Sequence, residues 1–270
     1  MIPSEILDYY AKGKEERRLT ASLGKLERIR TWEIVERYLP LPPRRVIDVG
    51  GGTGVYALPL ARRGYQVHLV DPVPLHVERA RALSAESDRP LAGIEVGDAR
   101  HLDVPDATFD VVLMFGPLYH LTSRSDRVQA LMEARRVLVK GGLLLSAYIS
   151  RFASACDGIQ EGALRDPAFA AIVEGDLREG IHQNPTSRIE WFTTAYFHRP
   201  EEIAPEIESA GLRFETLLAV EGPGWMNQDL DAWLDDDLAR ERLLRVVRQL
   251  ETEPSLIGAS AHLIGIAKAP

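Results

Sequence analysis

The chain has 270 residues, 45% of them hydrophobic and 27% charged, with 21 Gly, 17 Pro and a net charge of −8. This excludes collagenous, low-complexity and largely disordered chains. It also speaks against a nucleic-acid scaffold, whose phosphate contacts need a basic face.

Residues 4–19 predict a charged helix with Ile6, Leu7, Tyr10 and Leu19 as its apolar minority. Residues 23–39 predict a second, with Leu26, Ile29, Ile34, Val35 and Leu39 near one face, ended by PLPPRR at 40–45. The period then changes. Short β-rich runs at 46–49, 66–70, 93–96, 110–115 and 143–149 alternate with helical stretches at 54–63, 74–86 and 123–138. Strand alternating with helix predicts an α/β, doubly wound, largely parallel sheet. Residues 151–197 are too long for a plain connection and read as a lid over the carboxyl ends of the strands, where open sheets hold ligands. A helix at 200–210, a strand at 212–220, one or two charged helices within 229–250 and a last strand at 261–268 complete the pattern.

The predicted division is a helical cover at 1–40, a ligand-binding core at 41–150, a lid insertion at 151–199, and the rest of the sheet at 200–270 with a helical insertion at 222–256. Cys156 is alone, so it makes neither an internal disulfide nor a zinc site. No His/Cys/Asp cluster has metal-ligand spacing, and no metal is expected. The polar N-terminus has no signal-peptide core, and the apolar run at 143–149 is far short of the ~18 residues that span a bilayer. A cytoplasmic protein with no membrane partner is expected, as monomer or homodimer.

The sharpest motif is Val46-Ile47-Asp48-Val49-Gly50-Gly51-Gly52-Thr53-Gly54. A buried strand enters a glycine turn that lets a ligand approach the main chain. Gly52-x-Gly54-x-x-Ala57 fits the dinucleotide fingerprint, and Asp71 stands where an acid bonds ribose hydroxyls. Asp48 decides between ligands. It precedes the turn that would cradle a pyrophosphate, and two like charges ~4 Å apart cost about 4 kcal/mol at an effective dielectric of 20. An ammonium and a sulfonium in that place reverse the sign, so the acid favours S-adenosylmethionine over NAD. Gly97-Asp98-Ala99 follows the third strand, where Asp98 either accepts from an adenine amino group or caps a turn. Phe109 to Phe115 forms a strand ending in Gly116-Pro117-Leu118-Tyr119-His120, and a later helix ends in Val137-Leu138-Val139-Lys140-Gly141-Gly142.

These elements, in this order, resemble the class I S-adenosylmethionine-dependent methyltransferases, strongly over about residues 44–150. The resemblance implies a Rossmann-like seven-stranded sheet with an antiparallel last strand. It also implies that the methionine part of the cofactor packs on the Gly50–Gly54 loop. Asp71 with Pro72 would then hold the ribose, and Gly97, Asp98 and Ala99 the adenine, with Phe115 and Gly116 beside the donor methyl. Pro59 disagrees with a helix starting near Gly54 unless it marks a short first turn or a kink.

Methyl transfer needs an acceptor atom held about 3–3.5 Å from the methyl, and a base where the acceptor is a hydroxyl or protonated amine. His120 is the natural base and Tyr119 its neighbour, both just past the fourth strand. The lid offers Asp157, His182, Glu190, Trp191, Tyr196 and His198, with the aromatic run 191–197 either walling a substrate cavity or packing on the sheet. Tyr9, Tyr10, Arg18 and Arg30 are placed to close the cofactor cleft, an arginine either binding the cofactor carboxylate or remaining a solvated charge. Asp235-Asp236-Asp237 reads as a solvated helix face before an attractor for cations. Gly116-Pro117-Leu118-Tyr119 departs from the Asn/Asp-Pro-Pro-Tyr/Phe signature of nucleic-acid amine methylation. The expected function is therefore methyl transfer to O, N or C of a small metabolite. The alternatives are an NAD-dependent oxidoreductase and a non-catalytic module that binds S-adenosylmethionine.

Overall fold

Near-continuous apolar runs such as Val46, Ile47 and Val49, or Val111 to Met114, suit strands covered on both faces, and the computed structural model places them at the centre of a sheet. It describes residues 4–11, 22–186 and 188–270. Helices α1 (Ser4–Ala11) and α2 (Ser22–Tyr38) come first. The rest of the predicted first helix and Arg18 lie outside the described residues. The core follows as β1 (Arg45–Val49), α3 (Ala57–Arg62), β2 (Gln66–Asp71), α4 (Pro74–Ala85), β3 (Gly93–Val96) and β4 (Phe109–Met114). It continues with the short α5 (Pro117–His120), α6 (Arg124–Val137) and a long β5 (Leu138–Ser150).

β3, β2, β1, β4 and β5 pair in parallel in that spatial order. Strand β8 (Arg213–Ala219) and the final β9 (His262–Lys268) complete the seven, with β9 antiparallel to both β5 and β8. This is the predicted topology. Two short strands add to it: β7 (Ala195–His198) pairs with Ile149 and Ser150, beyond the last β4 pair at Met114 and Ser146, and carries β6 (Ile181–His182).

Side-chain alternation divides the core. Ile47, Val112, Met114 and Leu144 face α6 through Ala130, Leu131 and Ala134, and α9 (Pro200–Ser209) through Ile203 and Ile207. Val46, Val111, Leu113 and Leu145 face α2 through Ile34 and Val35, and α3 through Ala57 and Leu60. α3 starts three residues later than its predicted bound. Pro59 is therefore its third residue, where the missing N–H has no intrahelical acceptor to satisfy. This is the short first turn.

The segment predicted as a lid holds α7 (Ala153–Gln160), α8 (Pro167–Glu179) and the β6–β7 pair. The later excursion holds α10 (Leu230–Asp235) and α11 (Asp237–Leu250), packed on Leu26 of α2 through Leu230, Leu234 and Leu244. Asp236 divides these two helices by accepting the Ala239 amide as an N-cap at 2.7 Å. Asp235 pairs with Lys25 and Asp237 with Arg240, so the acidic triplet is a helix junction at the surface. Among the described residues no helix is long and apolar enough to cross a membrane.

Candidate active site

The strand ends enclose a cavity of about 300 Å³. Its wall follows the strand order. Asp98 and Ala99 come after β3, Asp71 ends β2, Asp48 lies in β1, Phe115 and Gly116 follow β4, Ala147 belongs to β5, and His262 starts β9. Helices α1 and α2 cover it with Tyr10, Glu27 and Thr31.

The β1–α3 turn is shaped by two glycines. Gly50 has φ +75°, and a Cβ there would lie 2.6 Å from Cδ of Pro117. A Cβ on Gly51 would lie 2.8 Å from the Asp48 carboxyl carbon. Asp48 itself is 1% exposed, and neither of its oxygens has a hydrogen-bond partner. Burial, then the charge of Asp71, push its pKa up to about 7; the Ala57 amide, outside hydrogen-bond geometry, offsets them only in part. A buried carboxylate without donors is costly unless a cation compensates it. The ammonium and sulfonium of S-adenosylmethionine fit that requirement, whereas a pyrophosphate opposes it.

Asp71 braces the same loop. Its Oδ2 accepts the Gly52 amide at 2.8 Å, and its Oδ1 accepts the Val73 amide at 2.9 Å and lies 3.1 Å from His76 Nδ1. A carboxylate has about four lone-pair sites, so capacity remains for a ribose hydroxyl. Pro72 and Gly97 line the wall beside it. Asp98 lines the cavity and accepts the Arg100 amide at 2.9 Å, the turn cap that is one of its two readings. The Arg100 guanidinium bonded to it holds its carboxyl below the usual range.

Tyr119 and His120 line the cavity. The His120 ring lies 2.7 Å from the Tyr10 hydroxyl through Nε2 and 3.2 Å from the Thr194 carbonyl through Nδ1. A carbonyl only accepts, so Nδ1 carries the hydrogen and Nε2 accepts from Tyr10. The imidazole thus joins α1 to the lid. Tyr9 packs on Phe192, and Thr194 Oγ1 donates to Glu5 at 2.8 Å, along the same seam.

Four expectations require correction. Arg30 does not reach the cavity. It is 0% exposed, donates to the Val220 carbonyl at 3.1 Å and to Glu251 at 2.5 Å, and pairs with Glu33, because its face of α2 packs on the C-terminal excursion. His198 is also 0% exposed and outside the cavity; it lies 3.2 Å from Glu206, which also pairs with the buried Arg127, and burial holds its pKa low. Gly54 faces Leu58 of α3 rather than the cavity, a helix–strand packing position. Finally, no described lid side chain lines the cavity. Phe197 and Ala195 pack on Ile149, Trp191 packs on Phe169, and His182 bonds Asp176 at 2.9 Å. Asp157, Glu190 and Tyr196 likewise lie outside it.

The sequence reading missed Glu27, Tyr56, His76 and His262. Tyr56 packs edge-on against Phe115 at 5.1 Å. His76 carried a local signal, five residues after Asp71 at the start of α4. Glu27 and His262 come from opposite ends of the chain, and no spacing rule joins them.

Residues 46–142 match the family described as a methyltransferase domain. The demethylmenaquinone methyltransferase of Deinococcus radiodurans is 31% identical over 179 residues, covering 63% of this chain and 68% of that protein. The ubiquinone biosynthesis O-methyltransferase of Methylobacterium nodulans is 31% identical over 188 residues, 65% of this chain and 62% of that protein. The chain thus spans a little less than two thirds of the second relative. A solved S-adenosylmethionine-dependent methyltransferase from Mesorhizobium loti has the same fold, with TM-score 0.60 at 17% identity over 90% of this chain and 99% of that one. The matched domain covers β1 through the first part of β5, and the first relative extends the likeness beyond it. The chain belongs to the class I S-adenosylmethionine-dependent methyltransferases.

Proposed function

We propose that this protein transfers a methyl group from S-adenosylmethionine to a small-molecule acceptor held between α2 and the ends of β4, β5 and β9. The observation that carries the reading is Asp48, a buried carboxylate in the cavity wall whose oxygens have no hydrogen-bond partner. Asp48 and the Gly50–Gly52 turn hold the methionine part, Asp71 the ribose, and Asp98 with Ala99 the adenine. The bound cofactor supplies a methyl activated by its sulfonium, a leaving group that needs no acid. The chain's own contribution is orientation and exclusion of water. Phe115, Tyr56 and Tyr119 form an apolar wall beside the donor, and His120 anchors α1 over it. The relatives' names support a small acceptor, one of quinone biosynthesis in each of the two compared above. They differ in the acceptor, so neither acceptor is transferred to this chain.

Calorimetry with S-adenosylmethionine and with NAD tests the reading. Binding of S-adenosylmethionine alone is expected, and binding of NAD alone overturns it. Transfer of labelled methyl into a metabolite extract then separates an enzyme from a module that only binds the cofactor.

A further inference from the structure

Asp71 holds the ribose on the reading above, yet its carboxylate is nearly saturated by the protein. Oδ1 accepts the Val73 amide at 2.9 Å and faces His76 Nδ1 at 3.1 Å, and Oδ2 accepts the Gly52 amide at 2.8 Å. Three of about four lone-pair sites are therefore occupied. One remains, whereas a ribose presents two neighbouring hydroxyls. A hydroxyl carried out of water without an acceptor weakens binding, so the second one needs another partner.

His76 has the acceptor that is missing. It stands in the first turn of α4, its amide bonded to the Val73 carbonyl at 3.0 Å, and its ring turns back to Asp71. An ionised carboxylate only accepts, so Nδ1 carries the hydrogen and Nε2 the lone pair. Tyr10 meets the ring edge-on, with centroids 5.7 Å apart, a second constraint on its orientation. Among the described residues Nε2 makes no hydrogen bond, and it is not one of the orphan atoms sealed from solvent. The residue is 9% exposed and lines the cavity, so that access is from the cavity. The side chains beside it on this wall do not compete. Pro72 and Val73 have no polar atom, and the Arg79 guanidinium only donates.

We propose that His76 is a specificity-determining residue for the cofactor: its Nε2 accepts one of the two ribose hydroxyls while Asp71 accepts the other. The inference rests on the reading that S-adenosylmethionine fills this cavity, and it divides the diol between two residues instead of giving both hydroxyls to one carboxylate. His76 acts twice in this arrangement. Its Nδ1–H occupies a site on Asp71 that would otherwise serve the diol, and its Nε2 offers that site again across the ring. The ligand class is a nucleoside with both ribose hydroxyls free. A deoxyribose lacks one donor, and a phosphate ester on either hydroxyl lacks a donor and brings negative charge toward Asp71.

The test is calorimetry at about pH 8, where an ordinary histidine is neutral, on the full chain with S-adenosylhomocysteine and its 2′-deoxy and 3′-deoxy analogues. In the wild type one analogue is expected to bind about tenfold or more weakly, as for a hydroxyl lost from a carboxylate. The other is expected to bind about fivefold more weakly, as for a hydroxyl lost from a neutral acceptor. His76→Phe is expected to lower the affinity for S-adenosylhomocysteine about fivefold, abolish the smaller penalty and keep the larger. His76→Asn separates the two nitrogens. Its amide replaces the Nδ1 donor to Asp71 but nothing replaces Nε2, so it is expected to bind as weakly as the Phe variant. His76→Gln, whose side-chain oxygen reaches the place of Nε2, is expected to recover most of the affinity. Side-chain nitrogen NMR of the ligand-free protein is expected to show the Nδ1–H tautomer, with the Nε2 resonance shifting when S-adenosylhomocysteine is added. The Asn variant and the NMR measurement stand even if His76→Phe fails to fold. Both penalties unchanged in His76→Phe, wild-type affinity in His76→Asn, or an Nε2–H tautomer each overturn the proposal. So does a wild type that binds all three compounds equally. Failure of the wild type to bind S-adenosylhomocysteine at all is instead the failure of the broader reading.

Discussion

Two buried carboxylates, Asp48 in the cavity wall and Glu221 beside the wall residue His262, are treated in opposite ways. Asp48 has no donor from the protein, and burial followed by the Asp71 charge raises its pKa to about 7. Burial alone would raise Glu221 too, but the charge and hydrogen bonds of His262, with the bond from Ser260, hold it below the ordinary range. A buried charge is tolerated only when something compensates it. The fold compensates Glu221 itself and leaves Asp48 for a ligand. Asp48 is thus left without a partner from the protein, whereas Glu221 is satisfied by Ser260 and His262.

The largest expected effect concerns a third carboxylate, Glu206, which resembles Glu221. It accepts from Arg127 at 2.7 Å, bonds His198, and has its pKa lowered to about 2 by those partners against the opposing effect of burial. Glu206→Ala leaves the guanidinium of Arg127 buried and unpaired, so urea unfolding is expected to show a loss of about 3–5 kcal/mol. Because the folded pKa lies below the unfolded one, the contribution of Glu206 is full above pH 4.5 and drains away as pH falls toward 2. A loss well under 1 kcal/mol would remove the distinction between compensated and uncompensated acids.

Asp48→Asn is expected to act with the opposite sign on stability. The folded pKa of Asp48 exceeds its unfolded value of 3.8, so its contribution is full below that value and is lost as pH rises through about 7. Above that pH the Asn variant is expected to be the more stable, by up to about 4 kcal/mol, the equivalent of a three-unit shift. Its affinity for S-adenosylmethionine is expected to fall by about 3 kcal/mol, as for loss of a charged hydrogen-bond partner. In the wild type, calorimetric affinity is expected to drop about tenfold per pH unit below about 7, since binding then requires removal of a proton. A variant both more stable and equally tight-binding would place the cofactor's cation elsewhere.

Asp71→Ala comes next. The Gly52 and Val73 amides lose their acceptor, so stability and cofactor affinity are each expected to fall by about 1–3 kcal/mol; an unchanged affinity would mean that the ribose is held by other groups. Tyr10→Phe is the smallest. It removes only the hydroxyl that His120 accepts, and thermal unfolding is expected to report a loss of about 1 kcal/mol or less. A larger effect would make α1 part of the compensated framework.

The part of the cavity wall around Asp48 and Asp71 was legible in the sequence because its parts are local. A strand, a glycine turn and a helix follow one another within 46–62, and Asp71 closes the next strand. Side-chain roles set by distant partners were not legible. Arg30 sits on a helix predicted correctly, yet Glu251 and the Val220 carbonyl, contributed from across the chain, decide which way it is used. The lid histidine His198 became part of an internal ion network for the same reason, since Glu206 of α9 lies beneath it. His262 stood in a strand identified from its apolar pattern. Only the antiparallel direction of β9, together with the return of the chain at Glu221, brings it to the cavity wall.

That direction has a consequence for how the molecule can be altered. β9 presents its first residue, not its last, to the cavity, and its side chains alternate from one face of the sheet to the other. Removing one residue between Ser260 and the paired Leu263 would move the histidine to the opposite face or out of register with Ile149. The loops at the tips of the excursion between Gly222 and Ala259 stand outside that ladder, so lengthening them leaves the ring where it is. The last strand acts as a ruler: its zero mark is set by two hydrogen-bonded neighbours, and insertions on one side of that mark do not shift the scale.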